Sequence, residues 1–265
     1  MGVPEDELAR PGKKGPVAVW LFALCYWALV SILAHGSSSS SAQLPSTLTL
    51  SVFFGLTASL LLQYGPILLF LFLFVWLYEG RRGRGTRSLF SSVGWNRVGV
   101  RTSLKWALVF LVTAIPVGLL MLLLESAVAG SGAEHLAGTT SSTALPSWYI
   151  PFAIALLLAD VVTEETIVRG YILDRLMPAH PSSLRQSLTA VLATSVMMSS
   201  YHLVPYLYTY GFAPALTGVN LMADFLYSML VCFAYVRSKA RNVSGPVLFH
   251  FLLDLPMLIG LEENR

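Results

Sequence analysis

The sequence predicts an all-α, polytopic membrane bundle of about seven transmembrane helices, and three observations predict it. Of 265 residues, 55% are apolar and 12% charged, against roughly 25% charged in a soluble domain, and the mean hydropathy is +0.67. Apolar runs of the length needed to cross hydrocarbon, about 20 residues, recur along the chain. The basic residues are confined to alternate connections between those runs. A soluble globule, a disordered chain and a secreted disulfide scaffold are excluded, the last because Cys25 and Cys232 both sit inside apolar runs with no bridging or metal-knuckle spacing.

The expected spans are 17–35, 57–78, 104–128, 148–172, 186–204, 214–236 and 243–261. The second belongs to an apolar stretch starting near Leu48, where Gly65-Pro66 predicts a kink; the stretch is too short for two crossings with a turn. The last three spans carry scattered Ser, Thr, Tyr, His and Asp, residue types that face a bundle interior because unpaired polar groups are not tolerated in lipid.

Arg10, Lys13 and Lys14 precede the first span, and Arg81, Arg82, Arg84, Arg87, Arg97, Arg101 and Lys105 fill the connection between the second and third. Arg175 and Arg185 lie between the fourth and fifth, and Arg237, Lys239 and Arg241 between the sixth and seventh, whereas 36–47, 130–147 and 205–213 hold no Lys or Arg. Seven crossings put every basic connection on one side. By the positive-inside rule that side is the cytoplasm, with the N-terminus inside and the C-terminus outside. This asymmetry accounts for the net charge of +3 with the lipid bilayer as partner and no nucleic acid. Ser37 to Ser41 reads as a flexible outer loop, the first span as an uncleaved anchor, and Asn242-Val243-Ser244 as a glycosylation pattern stranded on the cytoplasmic side.

Ionisable residues inside spans are the informative feature, since each costs at least about 2.5–3.5 kcal/mol at the bilayer centre. The fourth span holds Asp160, Glu164, Glu165 and Arg169; the fifth His202; the sixth Asp224; the seventh His250 and Asp254. The first three are almost free of them. Residues four apart share a helix face, so Glu165 pairs with Arg169 and Glu164 is left without a local cation, a setting suited to a general base. His250 and Asp254 are likewise four apart. One free carboxylate and two imidazoles converging in a dry bundle can activate water on an amide. Singly, each has a plainer reading: Glu165–Arg169 as a structural ion pair, His202 at the outer interface, His250 bonded to a helix carbonyl, and Asp224 as a packing contact or the partner of an imidazole.

Taken together, Glu164-Glu165-Thr166-Ile167-Val168-Arg169, Met198 to His202 and His250 to Asp254 resemble the E-E-x-x-x-R, aromatic-x-x-x-His and His-x-x-x-Asn/Asp motifs of the CPBP family. Its members are the CAAX-processing and bacteriocin-immunity intramembrane proteases. The resemblance covers about 150–258. It implies that Glu164 polarises the attacking water, His202 helps hold it, His250 and Asp254 serve the oxyanion, and Glu165 with Arg169 form a supporting pair. Met198 stands where the family usually has Phe, and Val168 where an aromatic is common. Asp254 is the larger departure, because asparagine offers N–H donors and an ionised aspartate does not: it is protonated, or it orients His250, or it ligates a metal.

The cofactor expectation is accordingly none or zinc, the zinc set being Glu164, His202, His250 and Asp254; the H-E-x-x-H helix of many metalloproteases is absent. The span assignment puts His202 near the outer end of its helix, about 10 Å in depth from the other groups at 1.5 Å per residue, unless 173–187 re-enters the membrane. The expected protein is an intramembrane endopeptidase acting on a membrane-associated protein or peptide through a cavity open to the cytoplasm. It divides into an N-terminal membrane region, 1–147, and a catalytic core, 148–265. A non-enzymatic binder or a transporter using the acids as ion sites is the alternative.

Overall fold

The computed structural model describes residues 14–37, 47–79, 89–129, 146–177, 184–210, 213–238 and 241–263. Helix α1 is Lys14–Ser37, and α2 is Leu50–Phe74 followed by a π turn, Val75–Glu79. The short α3, Leu89–Ser92, precedes the long α4, Val100–Ala129. Helix α5, Tyr149–Glu165, runs on through a π-helical segment, Thr166–Leu173, and a last turn, Asp174–Leu176. Then come α6, Leu184–Tyr201; α7, Leu203–Thr209; α8, Pro214–Ser238; and α9, Ser244–Glu263. The described residues contain no β-strand.

Every expected span is a helix, so the all-α membrane bundle stands. Among the described residues, five stretches are long and apolar enough to cross a membrane: Lys14–Leu33, Leu50–Tyr78, Val100–Val128, Arg185–Thr209 and Pro214–Ser238. The other two expected spans, α5 and α9, are the helices that carry the Glu164-Glu165 pair and the His250–Asp254 pair. Length sets them apart: α5 has 17 residues before the π segment, and α9 counts as the shorter apolar helix Ser244–Leu255. Exposed Leu61, Leu62, Leu69, Val112, Leu122 and Leu123 coat the outside of the bundle, as a lipid-facing surface requires.

Helix α2 passes without a break through Gly65-Pro66. Pro66 has no N–H for the carbonyl of Leu62 one turn earlier; the Tyr26 hydroxyl of α1 donates to that carbonyl instead. A proline inside a lipid-exposed helix is thereby tolerated, because the acceptor it frees is satisfied by a neighbour.

The first three spans pack directly on the last four. Val19 and Ala23 of α1, Ile67 and Leu71 of α2, and Ile167, Val168 and Tyr171 of the π segment share one buried cluster. Ala107 and Ala114 of α4 meet Val231 of α8 and Phe249 of α9 in another. Leu173, Val191, Cys232, Tyr235 and Val243 form the third, joining the π segment, α6, α8 and the start of α9.

A bracket between 91–103 and 241–245 fixes where α9 begins. The Val243 N–H donates to the Gly94 carbonyl at 3.1 Å, Asn96 Nδ2 to the Arg241 carbonyl at 3.2 Å, and Asn242 Nδ2 to the Asn96 carbonyl. Asn242 Oδ1 accepts from the Ser244 N–H at 2.8 Å, a local turn that starts the helix. Ser103 Oγ donates to the Asn242 carbonyl at 2.8 Å and accepts the Gly245 N–H at 3.0 Å. Asn242 is fully buried, which gives it a structural use in place of a glycan. On the same side, Trp95 Nε1 donates to Thr166 Oγ1 at 2.8 Å, and a Cβ on Gly170 would collide with the Val93 carbonyl. Only glycine admits that approach. The Arg81 to Arg87 stretch, the Ser38 to Ser41 part of the serine tract and the Pro178 to Pro181 segment lie outside the described residues.

Candidate active site

Two threonines prepare the site's central element. Thr163 Oγ1 donates to the Ala159 carbonyl at 2.7 Å and Thr166 Oγ1 to the Val162 carbonyl at 2.6 Å, back-bonds that compete with the regular ladder and loosen a helix. Immediately after them the coil widens into the π-helical Thr166–Leu173, a form concentrated at functional sites. All eight of its residues are buried. Arg169 Nη1 donates to Glu165 Oε1 at 2.8 Å, and its Nη2 to Ser228 Oγ at 2.7 Å and the Ser228 carbonyl at 3.3 Å. The i,i+4 pairing read from the sequence is therefore present, and Ser228 of α8 completes it.

His202 occupies a one-residue break between α6 and α7. Pro205 explains the break: it offers no N–H to the Tyr201 carbonyl four residues back and crowds it. The ring at 202 is released from regular helical packing and faces α5 and α8. Its Nε2 lies 3.9 Å from Glu164 Oε1 and its Nδ1 3.4 Å from Asp224 Oδ2. Asp224 is itself held by the Tyr206 hydroxyl, which donates to Oδ1 at 3.1 Å, while the His202 and Tyr206 rings stack with centroids 5.7 Å apart.

His250 of α9 mirrors this arrangement. Nδ1 is 2.8 Å from Glu165 Oε1, and an N–H on that nitrogen would donate to the same oxygen that accepts from Arg169. Nε2 is 3.9 Å from Glu164 Oε2 and 3.1 Å from Asp254 Oδ2. Each imidazole thus has a carboxylate behind its Nδ1 and presents its Nε2 to Glu164. Glu164, His202, His250 and Asp254 stand together despite the depth mismatch expected between His202 and the rest. The reason is the bracket: it holds the start of α9 against the π segment, so His250, only six residues into the helix, reaches the level of His202 at the far end of α6.

Two participants were not assigned from the sequence. Asp160, one turn before Glu164, is hydrogen-bonded to the Tyr64 hydroxyl of α2, so the N-terminal half contributes to the acid cluster. The i−4 spacing made Asp160 visible, but nothing in the α2 sequence marks Tyr64 apart from its polar end. Among the described residues, no group of three or more His, Cys, Asp or Glu side chains is disposed to hold a metal ion.

The family whose model matches the chain is described as Rce1-like, type II CAAX prenyl endopeptidase Rce1-like, and the match runs over residues 146–256. That segment contains all three motifs and bears out the resemblance read from them. No curated protein and no solved structure matches the chain.

Proposed function

With residues 146–256 an Rce1-like segment, we propose that the protein is an intramembrane endopeptidase that hydrolyses a peptide bond in a membrane-associated protein or peptide. One observation carries the reading. The two imidazole Nε2 atoms lie at the same 3.9 Å from the two oxygens of Glu164, each ring backed by another carboxylate. The gaps exceed a hydrogen bond and suit one water held between the carboxylate and an imidazole.

In this mechanism Glu164 takes a proton from water while the oxygen attacks the scissile carbonyl carbon, and the C=O electron pair moves onto oxygen. The tetrahedral oxyanion is met by an N–H of His250, with His202 holding the attacking oxygen. Collapse restores the carbonyl and breaks the C–N bond, and the amine leaves with the proton from Glu164. Glu165 accepts from His250 Nδ1 and keeps that ring's orientation fixed; Asp224 Oδ2, 3.4 Å from His202 Nδ1, supplies a negative charge behind the other ring. Preorganised donors aimed at a developing oxyanion are worth about 2.7–4 kcal/mol each in known cases.

Asp254 then has a use that removes the objection to an aspartate at this position. Its 3.1 Å contact is with His250 Nε2, so it orients the imidazole and favours a proton on the nitrogen that faces the oxyanion. In this reading the side chains serve as base and donors themselves, and treatment with EDTA or 1,10-phenanthroline leaves the cleavage rate within twofold of the untreated enzyme.

The test is a comparison of membrane-protein fragments, by mass spectrometry of new C-termini, in cells producing the wild-type protein or Glu164→Gln. Fragments present with the first and lost with the second, at equal protein level, support the reading. Equal fragments in both overturn the base assignment.

A further inference from the structure

We propose that Tyr206 is the positioning residue for His202: its ring supports one face of the imidazole, and its hydroxyl is tied to Asp224 to keep that support in place. The inference rests on the hydrolytic reading for its effect on rate but not for its geometry.

The two imidazoles of the site are held in different ways. His250 sits inside a helix with carboxylate oxygens 2.8 Å and 3.1 Å from its two ring nitrogens. His202 ends one helix and begins the next, and the carboxylate oxygens facing its nitrogens lie at 3.4 Å and 3.9 Å. Neither of these contacts is a hydrogen bond. The 3.9 Å gap is too long, and Nδ1 of His202 and Oδ2 of Asp224 are both buried without a hydrogen-bond partner among the described residues. A charge at that distance attracts the ring but sets its rotation far less sharply than a directed bond does. The orientation of His202 therefore needs another support.

Helix geometry supplies it. The Ser199 carbonyl accepts the His202 N–H at 3.1 Å, closing α6 with a tight turn, and the His202 carbonyl accepts the Tyr206 N–H at 3.0 Å, opening α7. Pro205 falls in the first turn of α7, where its missing N–H breaks no intrahelical bond. Residues 202 and 206 are thus four apart on one face. Their rings stack with centroids 5.7 Å apart and planes 28° from parallel, inside the roughly 4.5–7 Å over which offset aromatic rings attract. The Tyr210 ring backs Tyr206 in turn, again at 5.7 Å.

The far end of Tyr206 is fixed as well. Its hydroxyl donates to Asp224 Oδ1 at 3.1 Å, and Ser199 Oγ donates to the Leu221 carbonyl at 2.8 Å, pinning α6 to the turn of α8 that carries Asp224. Ser199 therefore joins both ends of the frame: its carbonyl closes the turn at His202, and its hydroxyl holds α8 three residues from Asp224. Asp224 gains a second use, as the anchor of the tyrosine that faces His202. In this frame Tyr206 sets the plane of the imidazole, and Nε2 is directed at Glu164, 3.9 Å away.

The experiment reads ring order directly. Protein carrying ¹³C-labelled histidine in proteoliposomes gives Cδ2–Hδ2 dipolar order parameters, with the His202 and His250 signals assigned by their loss in His202→Gln and His250→Gln. Both rings are expected near about 0.85 in the wild type, as for a rigid site. Tyr206→Leu is expected to take His202 below about 0.6 and to leave His250 unchanged. Tyr206→Met repeats the comparison if the leucine variant lacks a thermal transition. Tyr206→Phe keeps the ring, loses the anchor and falls between. An unchanged His202, an equal fall at both histidines, or equal losses in the Phe and Leu variants overturns the proposal. In a cleavage assay with purified protein, Tyr206→Leu is expected to lower kcat about 10²-fold with KM within about threefold, and Tyr206→Phe to recover most of that loss. Absence of cleavage by the wild type would instead overturn the hydrolytic reading and leave the ring-order result standing.

Discussion

Position 254 shows how much a single residue's chemistry depends on which atom it faces. Placed against a developing oxyanion, an aspartate would repel it; placed 3.1 Å from His250 Nε2, it holds a donor in position. Asp254→Asn, which keeps the shape and can still accept through its amide oxygen, is expected to retain cleavage within about tenfold, whereas Asp254→Leu loses it, as read by the fragment yield. In the proposed mechanism Asp224 acts through His202, 3.4 Å away. Asp224→Asn is expected to lower kcat by about 10²-fold with little change in KM, the signature of an interaction made in the transition state. Arg169 belongs to stability instead. Arg169→Leu leaves a buried Glu165 carboxylate without its cation, a loss of about 3–5 kcal/mol, and should lower the unfolding midpoint in detergent even though Glu164 and both imidazoles remain. The carboxylates, imidazoles and their i,i+4 pairs were legible in the sequence because helix geometry alone relates them. The Tyr64–Asp160 and Asp224–His202 contacts were not fixed by it, because they join separate helices.

Among elements, the π segment was the one that periodicity could not announce. Thr166–Leu173 reads as an ordinary continuation of α5, and what widens it is a combination of threonine back-bonds and tertiary pressure from Trp95 and Val93. Gly170 is the sensitive point. Gly170→Ala would favour a regular helix by propensity, yet its methyl meets the Val93 carbonyl, so the expected outcome is destabilisation of about 1–3 kcal/mol from overpacking. A fall in thermal midpoint without loss of helical content by circular dichroism checks it. The break at His202 had a readable cause in Pro205, but its consequence did not: counting 1.5 Å per residue from assumed membrane edges treats all helices as starting at one level. The bracket around Asn242 starts α9 against the π segment, and side-chain hydrogen bonds from 146 residues away leave no local pattern to read.

At the scale of the whole molecule, composition and the alternation of basic connections were sufficient for an all-helical membrane bundle, and ionisable residues within spans pointed to its interior. That this interior is shared by the two halves emerged only from packing, since the π segment is buried against α1, α2 and Trp95. We propose that Glu164, flanked by two oriented imidazoles, is the base of peptide-bond hydrolysis. The direct test uses purified protein in proteoliposomes, offered a peptide library in ¹⁸O-labelled water, with new C-termini read by mass spectrometry. Labelled C-termini are expected from the wild type and at least about a hundredfold fewer from each of Glu164→Gln, His202→Gln and His250→Gln, all folded. Undiminished cleavage by folded Glu164→Gln would contradict it.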